Sequence, residues 1–109
     1  MADLTVQRLD ADGHEITFIA CDPLGDIFTN NGQTFLQITN TGETAEMVTV
    51  NSVKPCNYGF DHDMVFTVPA GKTITTPTFS PARFNDNQGK VSITYSDATN
   101  LQIAAVSII

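Results

Sequence analysis

The chain has no tryptophan, two tyrosines and two cysteines among its 109 residues. Sugar-binding modules rely on flat aromatic faces, and Tyr58 and Tyr95 alone make a weak platform. Cys21 and Cys56 do not form a close C-x-x-C pair, so neither a redox motif nor a zinc site is indicated. Two buried free thiols are the simpler expectation than a disulfide. Basic residues are also scarce. Five Lys and Arg stand against twelve Asp and Glu, for a net charge of -7. A nucleic-acid binder needs a basic stripe that releases phosphate counterions, and none is present. The same acidity disfavours an anionic membrane surface, and no apolar run approaches the ~20 residues that span a bilayer. The first eight residues show no basic segment leading into an apolar one, so no secretory leader is read and synthesis in a cytoplasm is expected. Charged residues make up 16% of the chain, below the roughly 25% of an ordinary soluble domain. Such a surface repels little and can lie against another protein.

Catalytic signatures are missing as well. There is no G-x-S-x-G, no phosphate-cradling glycine loop, and no cysteine in a recognised catalytic context. His14 and His62 are the only histidines. Asp61 and Asp63 flank His62 directly, and in an extended segment both point away from it, so a solvated loop explains them better than a metal or base site. Asp10, Asp12 and Gly13, and Asn85 to Gly89, carry oxygen ligands near a glycine. Neither matches the roughly twelve-residue calcium loop that ends in a bidentate Glu, and Asn and Asp are ordinary hairpin residues. We expect no cofactor, no metal and no enzymatic activity.

What is present is strand signal almost throughout. Period-two alternation with β-branched and aromatic residues marks residues 4–9, 15–20, 34–39, 45–53, 64–68, 72–76, 90–95 and 101–109. A short edge around Ile27 and Phe28 is added to these. Between them lie turn residues: Gly13, Pro23, Gly25, Gly32, Gly42, Pro55, Pro69 with Gly71, and Gly89. Residues 77–89 read as an irregular connection, with Phe79 and Phe84 as buried anchors. Residues 72–76 are mostly polar and suit a sheet edge. The last segment is apolar on both faces, as a doubly buried strand should be. No window shows helical spacing. The fold class expected is all-β, one domain over 1–109. It is a two-sheet β-sandwich or jelly roll of about eight short antiparallel strands with little or no helix. The strand order stays open, and residues 1–9 can serve as an N-terminal arm.

Several motifs occur in a telling order. They are Gly32-Gln33-Thr34-Phe35-Leu36, Val48-Thr49-Val50, Val68-Pro69-Ala70-Gly71, and a loop from Phe79 to Phe84. Asn85-Asp86-Asn87-Gln88-Gly89, Val91-Ser92-Ile93-Thr94-Tyr95-Ser96 and an apolar strand over 101–106 complete the series. This order resembles that of small virion proteins of tailed bacteriophages, of the capsid decoration (cement) type. The resemblance covers roughly residues 30 to 106 and rests on turn-and-strand motifs. It implies a protein that sits on the outer capsid surface and bridges neighbouring capsid subunits. The implied partner is the major capsid protein, and the implied location is the virion. It supplies no catalytic residues.

A clamp of this kind needs a rigid body, flat polar faces and exposed edges or arms. Low charge lowers the desolvation cost of a wide interface. Symmetric shells favour a symmetric homo-oligomer, and a trimer is the expectation. The contact residues expected are Tyr58, Phe60, His62 and Arg83 in loops, with Leu4 and Val6 in the arm. The competing readings are a glycan- or host-binding module on a virion surface and a small neck or tail component.

Overall fold

The computed structural model describes residues 2–9, 13–53 and 63–108. Its strands are β1 (Ala2–Leu4), β2 (Val6–Arg8), β3 (Ile19–Ala20), β4 (Asp26–Thr29), β5 (Thr34–Asn40) and β6 (Glu46–Val50). Then follow β7 (Met64–Val68), β8 (Thr73–Thr75), the single-turn helix α1 (Pro81–Phe84), β9 (Lys90–Tyr95) and β10 (Leu101–Ser107). They form two sheets. One has the order β1-β4-β9-β6-β7. The other has the order β2-β10-β5-β8, with β3 also pairing with β10. This is the all-β sandwich that the alternation implies.

Alternation builds the core directly. In β5, Thr34, Leu36, Ile38 and Asn40 are buried while Phe35, Gln37 and Thr39 are only half-buried. In β9, Val91 and Ile93 point inward, and Val48 and Val50 of β6 do the same. These meet Leu36, Ile38, Leu101 and Ile103 from the other sheet. The Cα atoms span 37 × 36 × 21 Å. The short dimension is that of two sheets about 10 Å apart with their side chains.

The N-terminal segment corrects one expectation. It is not an arm. β1 pairs parallel with β4 in one sheet, and β2 pairs parallel with β10 in the other. The chain crosses between sheets at Thr5 and closes that side of the sandwich. Leu4 is 4% exposed and sits in the core, and half-buried Val6 packs against it from the other sheet. The Leu4 side chain is enclosed and Val6 keeps only part of its surface exposed, because burying apolar area within the chain stabilises the crossing. The two parallel pairings also depart from the all-antiparallel expectation.

Residues 15–20 depart from expectation as well. Only Ile19 and Ala20 pair with β10. The Gln7 carboxamide donates to the Thr17 carbonyl (2.7 Å) and accepts from the Thr17 N–H (2.8 Å). A side chain thus fills the place of a strand neighbour, and residues 13–18 run beside the sheet edge as a strap. Thr17 fixes the orientation of the amide, so the atom facing His14 is Oε1. His14 Nε2 is therefore the donor in their 3.0 Å hydrogen bond.

Buried asparagines pin the turns. Asn40 donates from Nδ2 to the carbonyls of Thr44 (2.8 Å) and Val68 (3.1 Å), and its Oδ1 accepts from Gly42 N–H (2.9 Å). This links the β5–β6 turn to the end of β7. Removing all three bonds from a buried site leaves carbonyls unpaired. Asn40→Ala is expected to lower stability by about 2–3 kcal/mol, read from the midpoint of urea unfolding.

Candidate contact surfaces

The residues that do not face the core define the surfaces the sandwich can offer. On the first sheet they are Ile27 and Thr29 of β4, Ser92 and Thr94 of β9, Met47 and Thr49 of β6, and Val65 and Thr67 of β7. The register confirms that they share a face, since Ile27 lies opposite Ser92, Thr49 opposite Thr94 and Val65, and Met47 opposite Thr67. Met47 is 49% and Val65 50% exposed. Among the described residues only Asp3 and Lys90 carry charge on this face. Asp3 is on the edge strand β1 and Lys90 begins the central strand β9, and they neutralise each other in a 2.6 Å ion pair across that half of the face. The surface is flat, uncharged over most of its width, and rich in Thr and apolar groups.

The second sheet presents Thr73 and Thr75, Phe35, Gln37 and Thr39, and Gln102, Ala104 and Val106. Gln37 and Thr39 bond across to Thr75 and Thr73 at 3.3 and 2.7 Å. Ala104 and Val106 point outward by alternation yet are buried. A cavity of about 410 Å³ lies beside Ala104, lined also by Leu4, Gln7, His14, Thr17 and Ile19. The strap residues His14 and Thr17 share this lining with β10, and the burial of Ala104 and Val106 shows that the outer face of the second sheet is partly covered. The first sheet is the open one.

Charge lies elsewhere. Glu15, Asp22, Glu43, Asp63, Lys72, Asp86 and Asp97 are all outside the strands. Several act in turns. The Asp86 carboxylate accepts from Gln88 and Lys90 N–H, and that of Asp97 from Thr99 N–H. The backbone N–H of Thr99 holds the Asp97 carboxyl below its ordinary range.

One end of the sandwich carries α1. Pro81 starts the turn, which closes through Phe84 N–H to the Ser80 carbonyl. Phe79 and Phe84 are buried beneath it, as their place in the loop suggests. Phe79 packs on Phe28 and Phe84 with ring centroids 5.9 and 5.6 Å apart. Asn30 secures the loop by donating to the Phe79 carbonyl (3.0 Å) and to Asn85 Oδ1 (2.8 Å). Arg83 is exposed, with its guanidinium 4.9 Å from the Phe84 ring centroid. The Val53 N–H bonds to the Arg83 carbonyl. The connection from β6 to β7 therefore departs beside Arg83. Tyr58, Phe60 and His62 lie on that connection, outside the described residues, as does Cys56.

The opposite end holds a buried polar cluster. The Tyr95 hydroxyl donates to Asp26 Oδ2 at 2.5 Å, and the Asp22 N–H reaches the same oxygen at 3.2 Å. Asp26 is fully buried, and its Oδ1 has no hydrogen-bond partner among the described residues. Burial pushes the Cys21 thiol up to about 12, partly offset by its hydrogen bond with Tyr95. Burial also raises the Tyr95 hydroxyl, with Cys21 and Asp26 adding to the shift. Both groups stay protonated at neutral pH, so Cys21 is a core thiol and no nucleophile. Tyr95 is half-buried against the core.

Comparison with protein-family models, with curated proteins and with solved structures finds no match.

Of the six contact residues read from the sequence, Arg83 is surface-exposed, Leu4 and Val6 belong to the core and its margin, and three fall outside the described residues. Met47, Val65, Thr67 and Thr94 were not among them. Their signal was in the alternation all along. If Val48 and Val50 face inward, Met47 and Thr49 must face out, and Val65 and Thr67 follow from Met64, Phe66 and Val68.

Proposed function

We propose that the chain is a structural protein that works by surface contact. It is a capsid decoration protein that lies on the outer capsid surface and bridges neighbouring capsid subunits. The observation that carries this reading is the open, nearly uncharged outer face of the β1-β4-β9-β6-β7 sheet. Burying Thr, Ser, Val and Met costs little desolvation, whereas a charged face would have to find partners for every ion. The slab shape suits a clamp that spans a seam, and Arg83 adds a contact at one end. Binding that exists only on the assembled shell stabilises that state by mass action.

The test is binding to purified capsids, followed by heating. Wild-type protein is expected to co-sediment with shells well above an unrelated acidic control and to raise the temperature at which they break. Met47→Glu and Thr94→Glu place a carboxylate in the buried interface. Each is expected to weaken binding by about tenfold or more, since an unpaired buried charge costs several kcal/mol. Shells that gain neither bound protein nor heat resistance would remove the reading. A glycan-array signal without capsid binding would replace it with recognition of a host surface.

A further inference from the structure

Among the described residues the sandwich has four strand edges, and three of them are protected along their length. β1 is three residues long and carries the Asp3–Lys90 ion pair. β2 and β3 are short, with the strap held alongside through Gln7 and Thr17. β8 is three residues long and lies between Lys72 and Pro77. Short length, charge, proline and coverage are the usual devices that stop a sheet edge from pairing. β7 has such residues only at its two ends, Asp63 before it and Pro69 after it. It is five residues long, Met64-Val65-Phe66-Thr67-Val68, with no charge and no proline.

The free backbone groups of β7 can be assigned. Met47 O accepts from Ser96 N–H, and Asn51 N–H donates to Ser92 O, so these residues of the β6 segment face β9. By alternation Glu46, Val48 and Val50 face β7, where they pair with Val68, Phe66 and Met64. The N–H and C=O groups of Val65 and Thr67 therefore point away from β6. No strand lies beyond them among the described residues.

We infer that β7 is a homodimerisation edge, pairing antiparallel with β7 of a second copy about a two-fold axis at Phe66. The inference is independent of the decoration reading. In this register Val65 lies opposite Thr67 of the second copy, and each such pair exchanges both N–H···O bonds. All of the free groups on both edges are then satisfied. The sequence is self-complementary here because β7 has no like charges for the axis to bring together. Asp63 falls opposite Pro69 of the second copy, and because proline has no N–H the ladder ends there, confined to the Val65 and Thr67 pairs. Two further features favour a second copy as the occupant. Phe66 and Met64 point inward but are only half-buried by the chain's own sheets. Pairing brings each Phe66 against its counterpart and closes the open side of both cores. On the outer face, Val65 and Met47, the most exposed apolar pair of that sheet, lie against the seam, and the uncharged surface becomes continuous across two copies.

Sedimentation equilibrium on the full chain tests this. A dimer is expected at tens of micromolar. Thr67→Pro removes an N–H that points away from β6, so it deletes an edge donor without touching the internal ladder. It is expected to give a monomer with an unchanged far-ultraviolet spectrum, and Val65→Lys is expected to do the same. Mixing Val65→Cys and Thr67→Cys proteins, each carrying Cys56→Ser, reads the register. The mixture is expected to cross-link on oxidation far faster than either protein alone, and this assay decides the matter if the proline variant does not fold. A wild-type monomer at millimolar concentration would overturn the inference. So would a dimer that survives both edge variants in a folded state, or cysteine mixtures that cross-link no faster than the single proteins.

Discussion

Phe79→Ala is expected to lower unfolding stability by about 3–5 kcal/mol, the range for removing a large aromatic from a packed core. A chain of this length has a total of roughly 5–15 kcal/mol to lose, so the variant should be near the edge of folding. The size of the effect follows from where the ring sits. Phe79 is 1% exposed and joins two bodies that share no ladder, since Phe28 belongs to β4 and Phe84 to α1. Truncation leaves a cavity between them. Collapse into it is opposed because Asn30 holds the Phe79 backbone at 3.0 Å and Asn85 at 2.8 Å. Urea unfolding should show a lower midpoint. A loss under about 1 kcal/mol would mean that the loop from Pro77 to Gly89 packs far less tightly than described.

The second large effect is at alkaline pH. Cys21 and Tyr95 have their proton affinities raised in the folded state, Cys21 from 9.0 to about 12. The sign follows from linkage. The folded chain keeps these protons above pH 9, while the unfolded chain releases them. Stability from these groups is thus fully present below about pH 9 and falls as pH rises toward 12. Each group contributes a slope of at most about 1.4 kcal/mol per pH unit. Thermal melts from pH 7 to 11 should show a steep alkaline loss in the wild type and a shallower one in Cys21→Ala. Tyr95→Phe should behave differently at neutral pH. It removes the hydroxyl donor to a buried carboxyl whose other oxygen is already unpartnered, and should cost about 2–3 kcal/mol there. It should then lose less on further alkalinisation than the wild type does. Parallel pH profiles for all three proteins would contradict the account.

Much of this architecture is legible in the residues, and the reason is specific. β7 and β9 coincide with the alternating runs 64–68 and 90–95 because one face of each must be buried and the period is two. The Pro69 and Gly71 turn lies where its chemistry puts it, with Gly71 at φ 70°. Partners are not legible in the same way. Alternation says which side chains share a face, not which strand lies alongside. The parallel pairings of β1 and β2, and the crossing at Thr5, therefore have no local signal. Leu4 and Val6 read equally well as an arm or as core. Residues 15–20 have the alternation of a strand, but the Gln7 side chain takes the Thr17 backbone groups that a neighbour would need. The open outer face of the first sheet is legible as the complement of the core.

The most direct measurement of the proposed decoration role is a cryo-electron-microscopy map of phage particles to which this chain is bound. The account predicts hundreds of copies on the outer capsid surface. Each should cross a boundary between capsid subunits, with Met47, Val65 and Thr94 turned toward the shell. Density confined to a ring of a dozen or fewer copies at the neck or tail would contradict it, as would Met47, Val65 and Thr94 facing solvent on the bound protein.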